Sequence, residues 1–409
     1  MNIVLEPGAA ALLDELHRAG FGAYAVGGCV RDSLLGLAPH DWDLCTAARP
    51  GQVMELFGED RCIPTGLQHG TVTVKRDGKL YEITTFRTEG RYSDGRHPDS
   101  VAFVPDLRED LARRDFTINA MAYSAEEGLC DPFGGREDLA RGVVRAVGEP
   151  LRRFGEDALR ILRLYRFAAR FGFAIDEATE AAAKQLASHL DCVSAERIEE
   201  ELNKLLAAPQ PGAYLEPEVL AFVLPELPPE ELTKARRRID ALPAGMEQVS
   251  ARWAALLLPL GETGARKALK RLKCSNARID GAAALVRECG EKTPDTLDKC
   301  DLRLQAKRLL GKYDLHTVRQ LTALWMALAP EEKASFDALR AEAEALTAQG
   351  ACCRISQLAV NGRDLMAAGA APGPGLRRVL EALLEEVITG RLPNEKTELL
   401  AFAAGFSAS

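Results

Sequence analysis

Val26-Gly27-Gly28-Cys29-Val30-Arg31-Asp32, with Asp41-Trp42-Asp43 nine residues further on, is the stretch that decides how this chain reads. An apolar, β-prone run (Tyr24 to Val26) breaks at two glycines and resumes as a helical pattern from Val30 to Leu35. Glycines at a strand-to-helix turn let backbone N–H groups approach a phosphate, and the helix start favours its negative charge. Asp41 and Asp43 sit on alternate residues of what reads as the next strand, so their carboxylates project to one face. Two such carboxylates repel unless a cation lies between them, and Mg²⁺ takes one or two carboxylates plus substrate phosphates. The stretch therefore points to metal-dependent chemistry on a nucleoside triphosphate.

Upstream, Glu6 to Ala19 reads as an amphipathic helix with Leu12, Leu13 and Leu16 inward, closed by Gly20 and Gly22. Downstream, Gly66 to Phe86 reads as a β-hairpin turning at Asp77-Gly78. Its register sets Thr73 opposite Glu82. If the hairpin neighbours the aspartate strand, Glu82 supplies a third carboxylate. Thr88 to Pro105, rich in Gly, Pro, Asp and Arg, reads as a long mobile loop. Arg113-Arg114-Asp115 precedes a helix start, with Asp115 as its N-cap and the arginines placed for a triphosphate. Asp131 to Gly135 is a turn cluster that closes the first domain near Glu149.

From Leu151 the strand signals stop and helices fill the remaining length. Glu156 to Phe167 reads as one helix with Leu159, Leu162 and Phe167 inward. Asp157, Arg160, Arg163 and Arg166 step by three, forming a slanted stripe in which like charges call for an anion. The chain of 409 residues is too long for one core, and its 47% hydrophobic, 27% charged composition is that of a folded soluble protein. No apolar run reaches the ~20 residues of a membrane span. Met1 to Glu6 lacks a signal-peptide pattern, so a cytoplasmic location is expected. The ten cysteines show no paired spacing for zinc or a disulfide framework and read as reduced thiols. The net charge is −8, yet Gly261 to Gln320 carries 14 Lys and Arg against 8 Asp and Glu, a local +6 suited to a polyphosphate. His40-Asp41 spells the dipeptide of a metal phosphohydrolase, but six scattered histidines do not build that site; His69 and His97 read as structural.

Taken in order, Gly27-Gly28-x-Val30-Arg31-Asp32, Asp41-x-Asp43, His69-Gly70-Thr71, Glu82 to Arg87, Arg113-Arg114-Asp115-Phe116-Thr117-x-Asn119-Ala120, Asp131 to Gly135 and Glu156-Asp157-x-Leu159-Arg160 resemble the class II tRNA nucleotidyltransferases. These are the bacterial and eukaryotic CCA-adding enzymes and related poly(A) polymerases. The resemblance is dense over 20–175 and looser at Val360 to Leu365 and Gly373-Pro374-Gly375. It implies an α+β fold: a polymerase-β-like nucleotidyltransferase head with a mixed sheet and helices (1–149), then an all-α neck (150–210), body (211–330) and tail (331–409). It implies two Mg²⁺ ions on Asp41 and Asp43 with Glu82 beside them. Gly27, Gly28, Arg31, Arg114, Asp115 and Asn119 would attend the incoming nucleotide. Asp157 and Arg160, with Arg163 and Arg166, would read its base. CTP, ATP and the tRNA 3′ end and acceptor arm are the expected partners, rather than DNA or a membrane.

The residue chemistry accounts for base choice without a template. Arginine donates and aspartate accepts. Cytosine and adenine each present a ring acceptor beside an amino donor, which Asp157 and Arg160 can satisfy together. Uracil and guanine invert that pattern, and a buried mismatch of this kind can discriminate by ~10⁴. The Thr88–Pro105 loop, of the length usual for CCA-adding members, is the candidate mover for the switch from C to A. The alternatives within the family are A-adding or CC-adding enzymes and poly(A) polymerase. The alternative of another class is a catalytically silent RNA-binding protein.

Overall fold

The structure, a computed structural model, describes residues 3–90, 100–291 and 301–406. The chain divides into two compact units, Met1–Pro229 and Glu230–Ser409. It is α+β: one mixed sheet lies in the first unit, and every element of the second is helical.

In the first unit, α1 (Pro7–Arg18) starts on Glu6, whose carboxylate accepts from Ala9 N at 3.0 Å, and ends where Gly20 turns to φ 84°. Leu12, Leu13 and Leu16 are buried, as their spacing predicts. Strands β1 (Ala23–Val26), β2 (Leu44–Thr46), β3 (Cys62–Gly66), β4 (Thr71–Arg76) and β5 (Lys79–Thr85) follow, with α2 (Gly28–Leu34) after β1 and α3 (Pro50–Phe57) after β2. Asp77 and Gly78, at φ 50° and 76°, turn the β4–β5 hairpin, and Thr73 pairs with Glu82 as expected. Short strands β6 (Arg87–Glu89) and β7 (Val101–Phe103) pair antiparallel, and α4 (Leu107–Ala112) follows. Strands β8 (Ala122–Ser124) and β9 (Gly128–Cys130) complete a seven-stranded sheet of order β3-β4-β5-β2-β1-β8-β9. All pairings in it are antiparallel except β2 with β5. Tyr24, Val26, Cys45, Phe86, Leu111 and Ala122 pack together beneath it.

Helix α5 (Gly135–Arg141) is capped by Asp131, which accepts from Gly135 N at 2.7 Å and Arg136 N at 2.9 Å. Helices α6 (Pro150–Glu156), α7 (Leu159–Phe171), α8 (Glu177–Gln185), α9 (Ala195–Leu206) and α10 (Pro217–Val223) finish the unit. Leu159, Leu162 and Phe167 are buried as expected. In the second unit α11 (Leu232–Asp240), α12 (Val249–Leu257), α13 (Gly261–Arg271), α14 (Asn276–Glu291), α15 (Leu302–Lys312), α16 (Leu315–Leu328) and α17 (Lys333–Ala348) precede α18 (Gly362–Ala367), α19 (Pro374–Ile388) and α20 (Lys396–Phe406). Asn361 and Asp364 form a capping box on α18, so this tail stretch has a local structural task. Among the described residues no helix is long and apolar enough to cross a membrane, and the nine described cysteines are free.

Four expectations change. Asp41 and Asp43 lie just before β2 rather than in it; the ladder extends only through Asp43 O, which accepts from Val26 N at 3.0 Å. Glu156 to Phe167 is two helices, because Asp157 is extended (φ −147°, ψ 106°) and its carboxylate accepts from Leu159 N at 3.0 Å. Asp115 caps no α-helix: a 3₁₀ turn, Thr117–Asn119, follows Phe116, and Asp115 Oδ1 accepts from Phe116 N instead. The flanks of the expected Thr88–Pro105 loop form the β6–β7 pair, while 91–99, including His97, lies outside the described residues.

The turn that carries Asn119 is fitted closely to α5. A Cβ on Gly135 would stand 2.2 Å from Thr117 O, whereas one on Gly128, at φ 78°, would meet nothing within 4 Å. Gly135→Ala is expected to destabilise the first unit by about 3 kcal/mol through overpacking, and Gly128→Ala by about 1 kcal/mol through backbone strain alone. Urea unfolding of the two variants checks the order, and equal losses would refute it.

Candidate active site

The glycine turn, the aspartates and Arg114 come together at one end of the sheet. Gly27 has φ 77°, a conformation costly for other residues, and its N–H donates to Met121 O at 3.1 Å. A Cβ there would lie 2.9 Å from Arg114 Nη1, so the bare backbone gives this guanidinium its place. Arg114 Nη2 reaches the buried Asp110 at 3.5 Å, and its Nε is buried with no hydrogen-bond partner. Asp110 also accepts from Arg113 Nε and Nη2, at 3.0 and 2.9 Å, and so orients both arginines.

Asp43 and Glu82 are neighbours by register. Strands β2 and β5 run parallel with Leu44 beside Ile83, so the preceding residues share one face. Asp43 has an exposed surface, yet its carboxyl is pushed up, first by the protein crowded around it and then by the negative charge of Glu82. Arg114 opposes that shift and Asp41 adds to it. Asp41 itself is exposed and paired with His40 Nδ1 at 3.0 Å. Among the described residues no three His, Cys, Asp or Glu side chains close up as a metal cage. The repulsion among Asp41, Asp43 and Glu82 nevertheless suits a cation shared with phosphate oxygens, which needs only one or two carboxylates from protein.

Behind the turn lies a buried polar chain. Arg31, 3% exposed, donates from Nε to Asp32 Oδ1 at 2.8 Å and from Nη1 to Asn119 Oδ1. Asn119 Nδ2 donates to Asp115 Oδ1 at 3.0 Å. Asp115 Oδ2 accepts from Arg163 Nε and Nη2 at 2.9 and 2.6 Å. Burial alone would raise the Asp115 carboxyl; the Arg163 charge, the Asn119 hydrogen bond and the more distant Arg160 outweigh it and hold it far below the usual range.

The arginine stripe finds its anions inside the protein, which corrects the expectation that it calls for an outside one. Arg160 Nη1 donates to Glu156 Oε2 at 2.7 Å and Arg153 O at 3.0 Å, and Nη2 to Arg113 O at 3.3 Å. Arg163 rests on Asp115, and Arg166 Nε meets the buried Glu201 Oε2 at 2.5 Å. Asp157 Oδ2 accepts from Arg197 Nη2 at 2.8 Å. The basic Gly261–Gln320 segment is also partly neutralised: Arg303, Arg308 and Arg319 pair with Glu342, Glu385 and Glu344 outside it.

Comparison with known proteins places this geometry. The "Poly A polymerase head domain" family matches residues 23–145, and a tRNA nucleotidyltransferase domain 2 family matches 245–403. The CCA-adding enzyme of Limosilactobacillus fermentum is 38% identical over 397 residues, 96% of this chain and 95% of that one. The chain belongs to the CCA-adding enzyme family of nucleotidyltransferases. The CCA-adding enzyme of Latilactobacillus sakei is likewise 38% identical over 398 residues, 96% of each chain. The crystal structure of the Bacillus stearothermophilus CCA-adding enzyme in complex with CTP superposes with a TM-score of 0.80 at 34% identity, covering 99% of this chain and 98% of that one.

Within this family member, Asp110, Glu156, Arg197 and Glu201 hold site residues and went unassigned in the sequence reading. Glu156 and Asp110 stand three or four residues from arginines they bind, a readable helical signal. Arg197 and Glu201 pair with residues some 40 positions away and leave no local signal.

Asp115→Asn removes the charge opposite Arg163 in a site where Asp115 is 7% exposed. A loss of about 3 kcal/mol is expected. The folded carboxyl titrates below its unfolded value of about 3.9, so its stabilisation is complete above that pH and is lost as pH falls through the folded value. Chemical denaturation should show a wild-type-to-variant gap that is constant from pH 7 to about 5 and closes only in stronger acid. A gap closing near neutrality would refute the pairing.

Proposed function

We propose that this chain adds C, C and A to the tRNA 3′ end from CTP and ATP, releasing pyrophosphate, without a nucleic-acid template. The observation that carries the reading is Arg114, packed under the glycine turn and near enough to Asp43 to oppose the rise of its carboxyl, while Asp43 and Glu82 lie side by side by register. That is a cationic cradle facing a carboxylate pair, the arrangement a metal-bound triphosphate needs. Relatives named CCA-adding enzymes across nearly the whole chain, and a CTP complex of one at 34% identity, supply the substrate class.

In this reading Asp41 and Asp43, with Glu82 alongside, would hold two Mg²⁺ ions, which when bound would make the RNA 3′-hydroxyl more acidic and stabilise the leaving pyrophosphate. Gly27 and Gly28 let the phosphates approach the backbone. Arg114 binds their charge, and Arg31, held against Asp32 and Asn119, adds its positive charge at that end of the site. Asp115 and Asn119 keep the arginines in place around the nucleotide. Base choice falls to Asp157 and Arg160. Three hydrogen bonds use part of the five donors of Arg160 and leave about two free. Asp157 spends one acceptor position on Leu159 N and one on Arg197 and keeps about two. The remainder matches two acceptors and one amino donor, the edge of cytosine, and the similar pair on adenine. Arg163 and Arg166 flank the pocket. Residues 1–149 act as head, 150–210 as neck, 211–330 as body and 331–409 as tail. The basic Gly261–Gln320 segment meets tRNA phosphates in the cytoplasm.

The test is to incubate the protein with Mg²⁺, CTP, ATP and tRNA lacking its last three nucleotides, and to sequence the 3′ ends. CCA ends are expected; a long A-tail or growth stopping at CC overturns the reading. Asp43→Ala should retain tRNA binding and lose activity by roughly a thousandfold or more. Undiminished activity would remove Asp43 from the chemistry.

A further inference from the structure

Phe167 stands where the two arginine sets of the site meet. Its ring is 4% exposed. The Cζ of Arg31, from α2, lies 5.1 Å from the ring centroid, that of Arg163 5.4 Å and that of Arg166 4.0 Å. Phe171, one helical turn on, stacks with Phe167 at 6.3 Å with planes 3° apart. It faces Arg31 and Arg170, each at 4.9 Å. Phe116 meets Phe167 edge-on at 5.8 Å and closes another side.

These guanidiniums repel one another. Asp32, Asp115 and Glu201 neutralise Arg31, Arg163 and Arg166, but a carboxylate holds only one edge of the fork. The negative face of an aromatic ring attracts the plane of the guanidinium and fixes its tilt. An aliphatic side chain of similar volume fills the space without that attraction. Arg31 belongs to the helix after the glycine turn, and Arg163 is 33% exposed, against 11% for Arg160 and for Arg166. One ring therefore sets an arginine at the phosphate end and the most open arginine at the base end.

We propose that Phe167 is a positioning residue that couples triphosphate binding to base selection, by aligning Arg31 and Arg163 against one aromatic ring. Phe171 extends the surface toward Arg31 and Arg170 only, so it serves the phosphate end alone. The proposal rests on the CCA-adding reading and deepens it.

The experiment is addition of one nucleotide to tRNA lacking its last three, by the full chain and its Phe167→Leu, Phe167→Tyr and Phe171→Leu variants. KM and kcat are measured for CTP and UTP, with thermal melting alongside. Phe167→Leu should raise the CTP KM about tenfold and lower the CTP-over-UTP preference by a similar factor, with kcat within about threefold of wild type. Phe167→Tyr, which keeps the ring, should restore both. Phe171→Leu should raise KM and leave the preference intact. A folded Phe167→Leu with wild-type KM and preference overturns the proposal, as does a fall in kcat with KM and preference unchanged. If Phe167→Leu does not fold, Phe167→Met, which also fills the space without a ring, takes its place and is read by the same criteria. A wild-type chain that adds no C would instead overturn the functional reading itself.

Discussion

The buried ion pair between Asp115 and Arg163 is the constraint on which the site's geometry depends. Asp115 is almost wholly enclosed, and an enclosed carboxylate is tolerable only when its oxygens are fully engaged. Oδ1 takes the Phe116 and Asn119 N–H groups, and Oδ2 takes the Nε and Nη2 donors along one edge of the Arg163 fork. Two charged donors on one buried oxygen tie α7 to the 3₁₀ turn region. Once α7 is set, Arg166 is delivered to Glu201 and Arg160 to Glu156.

The same pair explains why a positively charged stripe can exist on a mostly buried helix. Each arginine in it meets a carboxylate from a different element, the 3₁₀ turn region, α9 or the end of α6, although Glu156 also serves Arg152 and Arg153 and Glu201 also faces Arg163. The stripe is in the first place a device for tying α7 to its neighbours. In the proposed function its capacity for recognition would be what remains after those ties are made, a small and directional remainder. Discrimination needs that: a pocket with many spare donors accepts any base edge, while one with two donors and two acceptors would reject an inverted pattern.

Elements written by local chemistry were legible from the sequence. The α1 stripe, the Asp77-Gly78 hairpin and the Thr73–Glu82 register follow from periodicity and turn preference. The nearness of Asp43 and Glu82 was legible only conditionally, because no local pattern announces that β2 pairs with β5 in parallel. The break at Asp157 was missed although Gly155 stands two residues before it, since the apolar period runs on through the gap. Glu201 was missed for a different reason. In Glu199-Glu200-Glu201 only the third falls on the apolar face set by Ile198, Leu202 and Leu205, but that period does not name its partner, Arg166. Charge stripes seen on one helix show only half of an electrostatic arrangement, because the compensating charges lie on the partner elements.

In the function proposed above, chemistry and base choice fall to separate parts of the first unit. Asp41, Asp43 and Glu82 would bear on phosphates and a hydroxyl, which every nucleotide shares. Asp157 and Arg160 would bear on the base edge, which differs. Such separation would allow a wrong base to react whenever its phosphates bound well. What prevents independence is the chain Arg31–Asn119–Asp115–Arg163, in which each polar group satisfies the next. Drawing Arg31 off Asn119 would free that amide's carbonyl and give it one fewer reason to keep its orientation toward Asp115. Hydrogen-bond chains in a low-dielectric interior polarise along their length, so a change at one end alters the strength of the other. The polar chain runs beside the ring of Phe167, which Arg31 and Arg163 also share, so the proposed phosphate and base ends would be tied by paired polar groups and by that ring together.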